Sequence, residues 1–254
     1  MGSRLFWRVI SVIGELLLTA GVIVLGFAAW FVWGTDAAAA PEHDKSVARL
    51  HSRFETPALP HKQLPVPESG REFAVITVPR FEEKPVPVVE GTDLSVLKRG
   101  IGHVPDSALP GEVGNFATAG HRVTYGRPYR HIDRLQPGDP IIVETAPGWS
   151  VYRFVRHQIV EPGATQVLAP VPDQPGAQPT QAWMTLVACH PPFSARLRYV
   201  GYALLERQVP RSQGPPAELS ADAPRAAAGA RAGTSGPVGA YAAADRAVRR
   251  EGGH

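Results

Sequence analysis

The sequence predicts an all-β domain that follows one N-terminal transmembrane helix. Short apolar runs, several of which alternate with polar residues, recur along the middle of the chain, and Pro-Gly and Gly-Asp steps separate them. Helical patterns are confined to two short pieces near 93–98 and 129–135. Many short strands without helical crossovers favour an antiparallel barrel or sandwich. The predicted strands are 73–78, 87–89, 115–119, 140–143, 150–160, 183–188 and 198–205.

The first predicted element is an apolar stretch from Val9 to Trp33. A bilayer core about 30 Å thick needs about 20 helical residues, so this stretch is long enough to cross it. Arg4 and Arg8 precede it, and the positive-inside rule then predicts a single-pass plasma-membrane protein with a cytoplasmic N-terminus and an extracellular domain. A cleaved signal peptide is the alternative, but the stretch is longer than a typical signal core. We assign residues 1–34 to a cytoplasmic stub and an anchor.

Residues 35–70 are rich in proline and charge and predict an extracellular tether. Val47, Leu50 and Phe54 indicate one short amphipathic helix in it, but no core. Treated as a coil, the segment would hold the domain a short way off the membrane.

The folded domain is assigned to residues 71–208, about 140 residues, which is enough for a single domain with its own core. The composition of residues 209–254 falls to Ala, Gly, Pro, Ser and Arg, so this tail is predicted to be disordered. Deleting residues 1–34 and everything after Pro210 is therefore expected to change the melting temperature and the turnover very little.

The charge of the chain is mild. The formal net charge is +3, the pI is about 9.2, and no DNA- or RNA-binding motif is present. Nucleic acid is therefore excluded as a predicted partner.

Cys189 is the single cysteine of the chain and ends a short apolar run, 183–188. A thiol outside a cell normally pairs with a second cysteine or does chemistry, and no second cysteine exists here. The alternative, a small buried hydrophobic residue, is common for free cysteines. The position at a strand end and the histidine and arginines elsewhere in the chain favour a nucleophile.

A nucleophilic thiol needs a partner that removes its proton, and His121, after a glycine at a strand end, is the natural candidate. The oxyanion that forms during attack on a carbonyl needs a positive charge, which an arginine supplies. Arg196 and Arg198 lie two residues apart, so spacing alone does not choose between them. His190 adjoins the cysteine but is expected on the opposite strand face. These residue types suit a thiol-based acyl transferase.

The remaining candidates are interpreted as structural. His103, His131 and His157 lie in predicted loop, helical and strand contexts. No His-x-x-x-His pair and no second cysteine are present, so neither a zinc site nor any other cofactor is predicted.

Four motifs carry a resemblance to a known family: Gly100–Ala108, Pro110–Arg122, Thr185–Pro191 and Phe193–Arg198. Together they resemble the sortases, most closely the class E housekeeping enzymes of actinobacteria. The resemblance covers about residues 71–208 plus the anchor. It implies an eight-stranded sortase-type β-barrel with short helices.

The resemblance also implies an activity and its residues. The reaction would be transpeptidation at a C-terminal Leu-x-x-Thr-Gly signal of a secreted protein, cleaved between Thr and Gly. Cys189 would form the thioacyl enzyme, His121 would act as acid and base, and Arg198 would be the family arginine. The amine of a peptidoglycan precursor would release the product and anchor it to the cell wall.

Two positions depart from the family pattern, and both bear on the substrate. Ala188 replaces the usual threonine before the cysteine, which removes a hydroxyl near the acyl site, and Ile101 replaces a common proline. Class E enzymes imply a preference for alanine over proline at the second signal position. Because proline lacks an N–H, such a preference needs an acceptor opposite that group, and Tyr125 and Tyr129 are the candidates.

Other functions remain as alternatives. A pilus-polymerising sortase would use the same chemistry, but no lid segment is evident before Arg71. An L,D-transpeptidase would need histidine and glycine where Val187 and Ala188 stand, and papain-like or NlpC-type peptidases have the reverse order of cysteine and histidine. A non-enzymatic, membrane-anchored wall-binding module would explain the anchor and the β-domain only.

Overall fold

The computed structural model describes residues 2–55 and 64–220, and within them eight strands close into a barrel. Around the barrel the order is β1-β2-β3-β4-β7-β8-β6-β5. The pairs β2–β3 and β4–β7 are parallel and the other pairs are antiparallel. The strands are β1 Glu72–Thr77, β2 Val86–Glu90, β3 Ile101–His103, β4 Gly114–Ala119, β5 Pro140–Thr145, β6 Gly148–Val160, β7 Ala182–His190 and β8 Leu197–Pro210. The predicted eight-stranded barrel is confirmed.

Local sequence accounts for most of these strands. The turn between β5 and β6 depends on Gly148, whose φ of 152° places its missing side chain against the Val209 carbonyl oxygen. Any Cβ would collide there, so glycine is required. Inside the barrel, large side chains such as Phe116, Phe154 and Met184 are completely or almost completely buried. Each contributes roughly 1.5–3 kcal/mol of hydrophobic stabilisation.

Strand β3 was not among the predicted strands, because it is only three residues long and contains a glycine. His103, expected in a loop, lies in this strand and is buried. Its Nδ1 is 2.6 Å from a Glu90 carboxylate oxygen, and its Nε2 is 2.8 Å from the Ser107 hydroxyl. His103 is therefore a structural residue with its hydrogen bonds satisfied, as interpreted from the sequence. The prediction that it lies in a loop was wrong.

The N-terminal part of the chain is one helical rod. Helix α1 (Gly2–Ala29) passes through a π-helical turn, Trp30–Gly34, directly into helix α2 (Thr35–Glu55). Within the described residues, 6–29 form the one helix that is long and apolar enough to cross a membrane, with a mean hydropathy of 2.3. None of that stretch is buried against the barrel, as a membrane-spanning segment requires.

The prediction of a coiled tether is wrong for residues 35–55. One face of α2 is buried, with Leu50 and Phe54 packed on Val75 of β1. The tether was predicted from the proline and charge content of residues 35–70, and that content does not show that one face of α2 packs on the barrel. Because α2 continues an existing helix, it avoids the cost of nucleation, and Pro41 removes only one backbone hydrogen bond.

The predicted start of the tail at residue 209 is also wrong. Strand β8 continues to Pro210, and the Arg211 guanidinium lies over the rings of Trp149 and Phe54. Glu218 forms ion pairs with arginines of β6 and β8. Amino-acid composition does not reveal individual contacts such as these, so a prediction from composition ends the ordered part of the chain too early. The predicted disorder of residues 221–254 lies outside the described residues, as do residues 56–63 of the predicted tether.

Two short helical pieces agree with the sequence. Helix α3 (Leu94–Leu97) lies within the first predicted helical stretch, and a 3-10 turn, Ile132–Arg134, lies within the second.

Candidate active site

The register of three adjacent strands places Cys189 between His121 and Arg198. Antiparallel β8 sets Arg198 directly opposite Cys189 of β7, and opposite residues have Cβ atoms about 4.5–5.5 Å apart. On the other side, parallel β4 pairs Ala119 with Val187, and the Gly120 N–H donates to the Val187 carbonyl at 3.0 Å. His121 lies two residues beyond the end of β4, and Cys189 lies two residues beyond Val187 on the parallel strand β7, so the two strands bring both residues to the same end of the barrel.

The alternation of β7 decides which side chains reach this site. Leu186 and Ala188 point into the barrel core, whereas Val187 contributes to a second apolar cluster outside the barrel wall. Cys189 has the outward parity of Val187 and is half-buried. The thiol therefore lies at the outer rim rather than in the core.

His121 has the environment of a neutral imidazole. Its Nε2 is buried and has no hydrogen-bond partner among the described residues, and its ring packs on Tyr125 at 5.1 Å between centroids. Burial, and secondly the charge of Lys98, hold the pKa of His121 below its usual value of 6.5. A neutral ring with an unoccupied nitrogen can accept a proton from a nearby thiol.

The structure distinguishes the two arginines that spacing left equivalent. Arg198 lies within β8, and its Nη1 donates to the carbonyl oxygens of Ala195 and Leu197 at 2.8 and 3.0 Å. Arg196 precedes the strand and is exposed. Only Arg198 has a strand register that places it opposite the thiol.

An apolar groove runs away from this site along the outer face of the barrel. Its volume is about 200 Å³, and the segment between β6 and β7, with the 3-10 turn Thr165–Leu168, forms one side. Residues that line it include Ala119, Val167, Leu168, Val187, Val200 and, at the catalytic end, Arg198. The groove can hold an apolar side chain in an extended peptide that passes the thiol.

Two predicted substrate contacts are corrected. Tyr129 is fully buried, and its hydroxyl is 2.7 Å from the Thr118 hydroxyl. Ala188 is 2% exposed and packs in the core. Strand alternation turns Ala188 away from the thiol face, so neither residue offers a surface to a peptide. Tyr125 is partly exposed beside His121 and stays a prediction.

His190 belongs to a separate cluster on the other side of β7. The buried Arg122 donates from Nη1 to His190 Nδ1 at 3.0 Å and pairs through Nη2 with Asp133 at 2.8 Å. Because Nδ1 accepts this bond, a neutral His190 carries its proton on Nε2. The cluster anchors the end of β7 next to Cys189.

Sequence reasoning missed the contacts between α2 and the loop that follows His121. Asp36 Oδ1 accepts a hydrogen bond from the Gly126 N–H at 2.9 Å, and its Oδ2 lies 2.6 Å from Arg127 Nε. His43 packs beneath Gly126. The acidic residue at the start of a helix was visible in the sequence, but its partner lies 90 residues away.

No group of three or more His, Cys, Asp or Glu side chains suited to a metal ion is present in residues 2–55 and 64–220.

Comparison with known proteins places this arrangement in a family. Residues 76–206 match the Sortase domain, which is more than half of the chain. The chain therefore belongs to the sortase family, whose members are cysteine transpeptidases.

Individual relatives narrow the resemblance to class E. The chain is 34% identical to Sortase SrtE1 of Streptomyces coelicolor over 82% of its own length, and it spans 60% of that relative. It is 29% identical to Sortase SrtE2 of the same organism, over 85% of the chain and 90% of the relative.

Solved structures of sortases are similar to this chain as well. The SrtA sortase from Actinomyces oris superposes with a TM-score of 0.59 at 38% identity, covering 67% of this chain and 97% of that one. Sortase E1 from Streptomyces coelicolor, solved with a tripeptide in its active site, gives 0.56 at 36% identity, covering 59% and 98%.

Proposed function

We propose that this chain is a membrane-anchored transpeptidase of the class E type. It would cleave a C-terminal Leu-x-x-Thr-Gly signal of a secreted protein between Thr and Gly and transfer the protein to the amine of a peptidoglycan precursor. The observation that carries the proposal is the pairing of Cys189 with Arg198 across β7 and β8, beside the end of β4 from which His121 follows.

In the first step, neutral His121 takes the thiol proton and the Cys189 sulfur attacks the threonine carbonyl carbon. A C–S bond forms and the carbonyl oxygen becomes an oxyanion, next to which the positive charge of Arg198 is suited to lie. The Thr–Gly C–N bond then breaks, and the glycine amine leaves with the proton that His121 returns. The product is a thioester between threonine and Cys189.

In the second step, an amine attacks the thioester carbonyl. His121 accepts a proton from the amine, a C–N bond forms, and the C–S bond breaks to restore the thiol. The same histidine acts as base and acid in both halves, and a pKa below the usual value of 6.5 keeps His121 neutral, and so ready to act as the base, at neutral pH.

The apolar groove supports the choice of an extended peptide as substrate. Ala119, Leu168 and Val187 are partly exposed in it and offer an apolar surface that matches the leucine of the signal. Tyr125, beside His121, is the remaining candidate acceptor for the N–H of an alanine at the second position. One lost buried hydrogen bond costs about 1–3 kcal/mol, or roughly 5- to 150-fold in specificity.

The helical rod supports a membrane location. Residues 6–29 are long enough to cross a bilayer, and Arg4 and Arg8 precede them. The proposal is a single pass with a cytoplasmic N-terminus and the barrel outside.

A peptide panel tests the function. The full chain in detergent is incubated with matched Leu-Ala-x-Thr-Gly and Leu-Pro-x-Thr-Gly peptides and a glycine-based amine, and products are identified by mass. The expected products are a Thr-amine conjugate and a Cys189 thioester, with the alanine peptide turned over faster. Equal or faster turnover of the proline peptide would reject the class E specificity alone. No conjugate with any peptide would favour a wall-binding module.

A further inference from the structure

The loop that follows His121 contains an unusual backbone conformation. Tyr125, Gly126 and Arg127 have φ values of 54°, 78° and 50°, so three consecutive residues are left-handed and two of them carry side chains. Such conformations persist only where surrounding contacts hold them, and they cluster at functional sites. One backbone hydrogen bond within the loop, from the Arg127 N–H to the Thr124 carbonyl at 3.1 Å, supports this turn, and contacts from outside the loop add to it.

Those contacts come from the first turns of α2. Asp36 is 12% exposed at its side chain and holds two successive residues, with Oδ1 on the Gly126 N–H and Oδ2 on the Arg127 guanidinium. His43 lies about two turns beyond Asp36 on the same face of α2. It is buried under the loop, and a Cβ at Gly126 would lie 2.6 Å from its Cε1.

On its other side the loop borders a cavity, and Lys98 Nζ lies 5.3 Å from the centroid of the Tyr125 ring. A cavity of about 460 Å³ separates Tyr125 from the chain segment that leaves α1, with Trp30 and Gly34 on one wall and Lys98 on another. Since Tyr125 borders this space, packing alone does not fix its position. The hydrogen bond from the Gly126 N–H to Asp36 and the ion pair of Asp36 with Arg127 therefore contribute to holding the loop.

The loop in turn contacts the imidazole. The Tyr125 ring packs on His121, and the Tyr129 N–H closes the loop by donating to the His121 carbonyl at 3.0 Å. No hydrogen bond within the described residues orients the buried Nε2 of His121. The position of its ring therefore follows the position of the loop.

We propose that Asp36 is a positioning residue: from the helix that continues the candidate membrane span, it holds the 124–127 turn and thereby aims His121 at Cys189. The inference rests on the proposed role of His121 as acid and base. It makes the juxtamembrane helix a part of the catalytic machinery rather than a spacer.

The test compares two ion-paired aspartates of the same helix in the full chain in detergent. Asp36→Ala removes both contacts, Asp36→Asn keeps an acceptor for the Gly126 N–H, and Asp44→Ala removes an exposed pair with Lys84 at 2.6 Å. Asp36→Ala should lower kcat about 10- to 100-fold, as expected for a misplaced catalytic group, with KM for the signal peptide changed less than about twofold. The kcat of Asp36→Asn should lie between the kcat of Asp36→Ala and that of Asp44→Ala.

Hydrogen exchange of residues 121–129 provides a readout that needs no substrate. It should rise in Asp36→Ala and stay unchanged in Asp44→Ala. Equal kcat and equal exchange in the two variants would overturn the proposal, and so would a joint fall of kcat, affinity and melting temperature. A wild-type chain that is inactive on every peptide would reject the proposed function instead. The exchange data would then decide by themselves whether Asp36 holds the loop.

Discussion

Leu50→Ala is expected to lower the free energy of unfolding by about 2–3 kcal/mol. Leu50 is 1% exposed between α2 and β1, in contact with the cluster of Phe54 and Val75. Buried Leu→Ala changes cost about 2–5 kcal/mol, and the lower end applies because this cluster lies near the surface, where neighbours can close the cavity.

Urea and thermal unfolding of the full chain in detergent measure this loss. A domain of this size shifts its melting temperature by about 2–4 °C per kcal/mol, which predicts a fall of about 4–12 °C. Leu94→Ala on α3 is the matched control, since Leu94 is 59% exposed and should change stability by less than about 0.5 kcal/mol. A Leu50→Ala melt that superposes on the Leu94→Ala melt would refute the docked helix and restore the coiled tether.

The other predictions concern the site. Cys189 is expected to react with alkylating agents in the native protein, and Cys189→Ala should lose all peptide turnover, measured by mass. Arg198→Ala should lose about 10²- to 10³-fold in kcat, as removal of an oxyanion donor does, whereas Arg196→Ala should change kcat less than about threefold. Lys98→Gln removes the second cause that lowers the pKa of His121, so that pKa should rise and the acid limb of kcat/KM should move to higher pH.

A different experimental result would contradict each of these predictions about the site. A native thiol that resists labelling would return Cys189 to a buried structural role. A larger loss in Arg196→Ala than in Arg198→Ala would mean that the register argument selected the wrong arginine. For the pH profile, Lys84→Gln is the control, because Lys84 is 78% exposed and paired with Asp44. An acid limb that is unchanged in Lys98→Gln, or shifted equally in the control, would refute the electrostatic coupling.

Sequence patterns predicted most of the barrel because strands longer than about five residues carry a local signal. Strand β3 lacks it, since three residues with a central glycine show no alternation. Tyr129 and Tyr125 looked equivalent as nearby tyrosines, but one is in the core and the other borders a cavity. Their difference comes from how the loop folds back onto the barrel.

By itself the sequence predicted a thiol-based acyl transferase and the class of fold. A single cysteine, a histidine after a glycine and a pair of arginines are covalent facts, and strand alternation is local along the chain. The tertiary structure decided that Arg198 lies opposite Cys189 across β7 and β8, that Ala188 points into the core, and that Asp36 reaches the loop beside His121. These depend on strand register and helix docking, which join residues far apart in sequence, and no local pattern records such pairings.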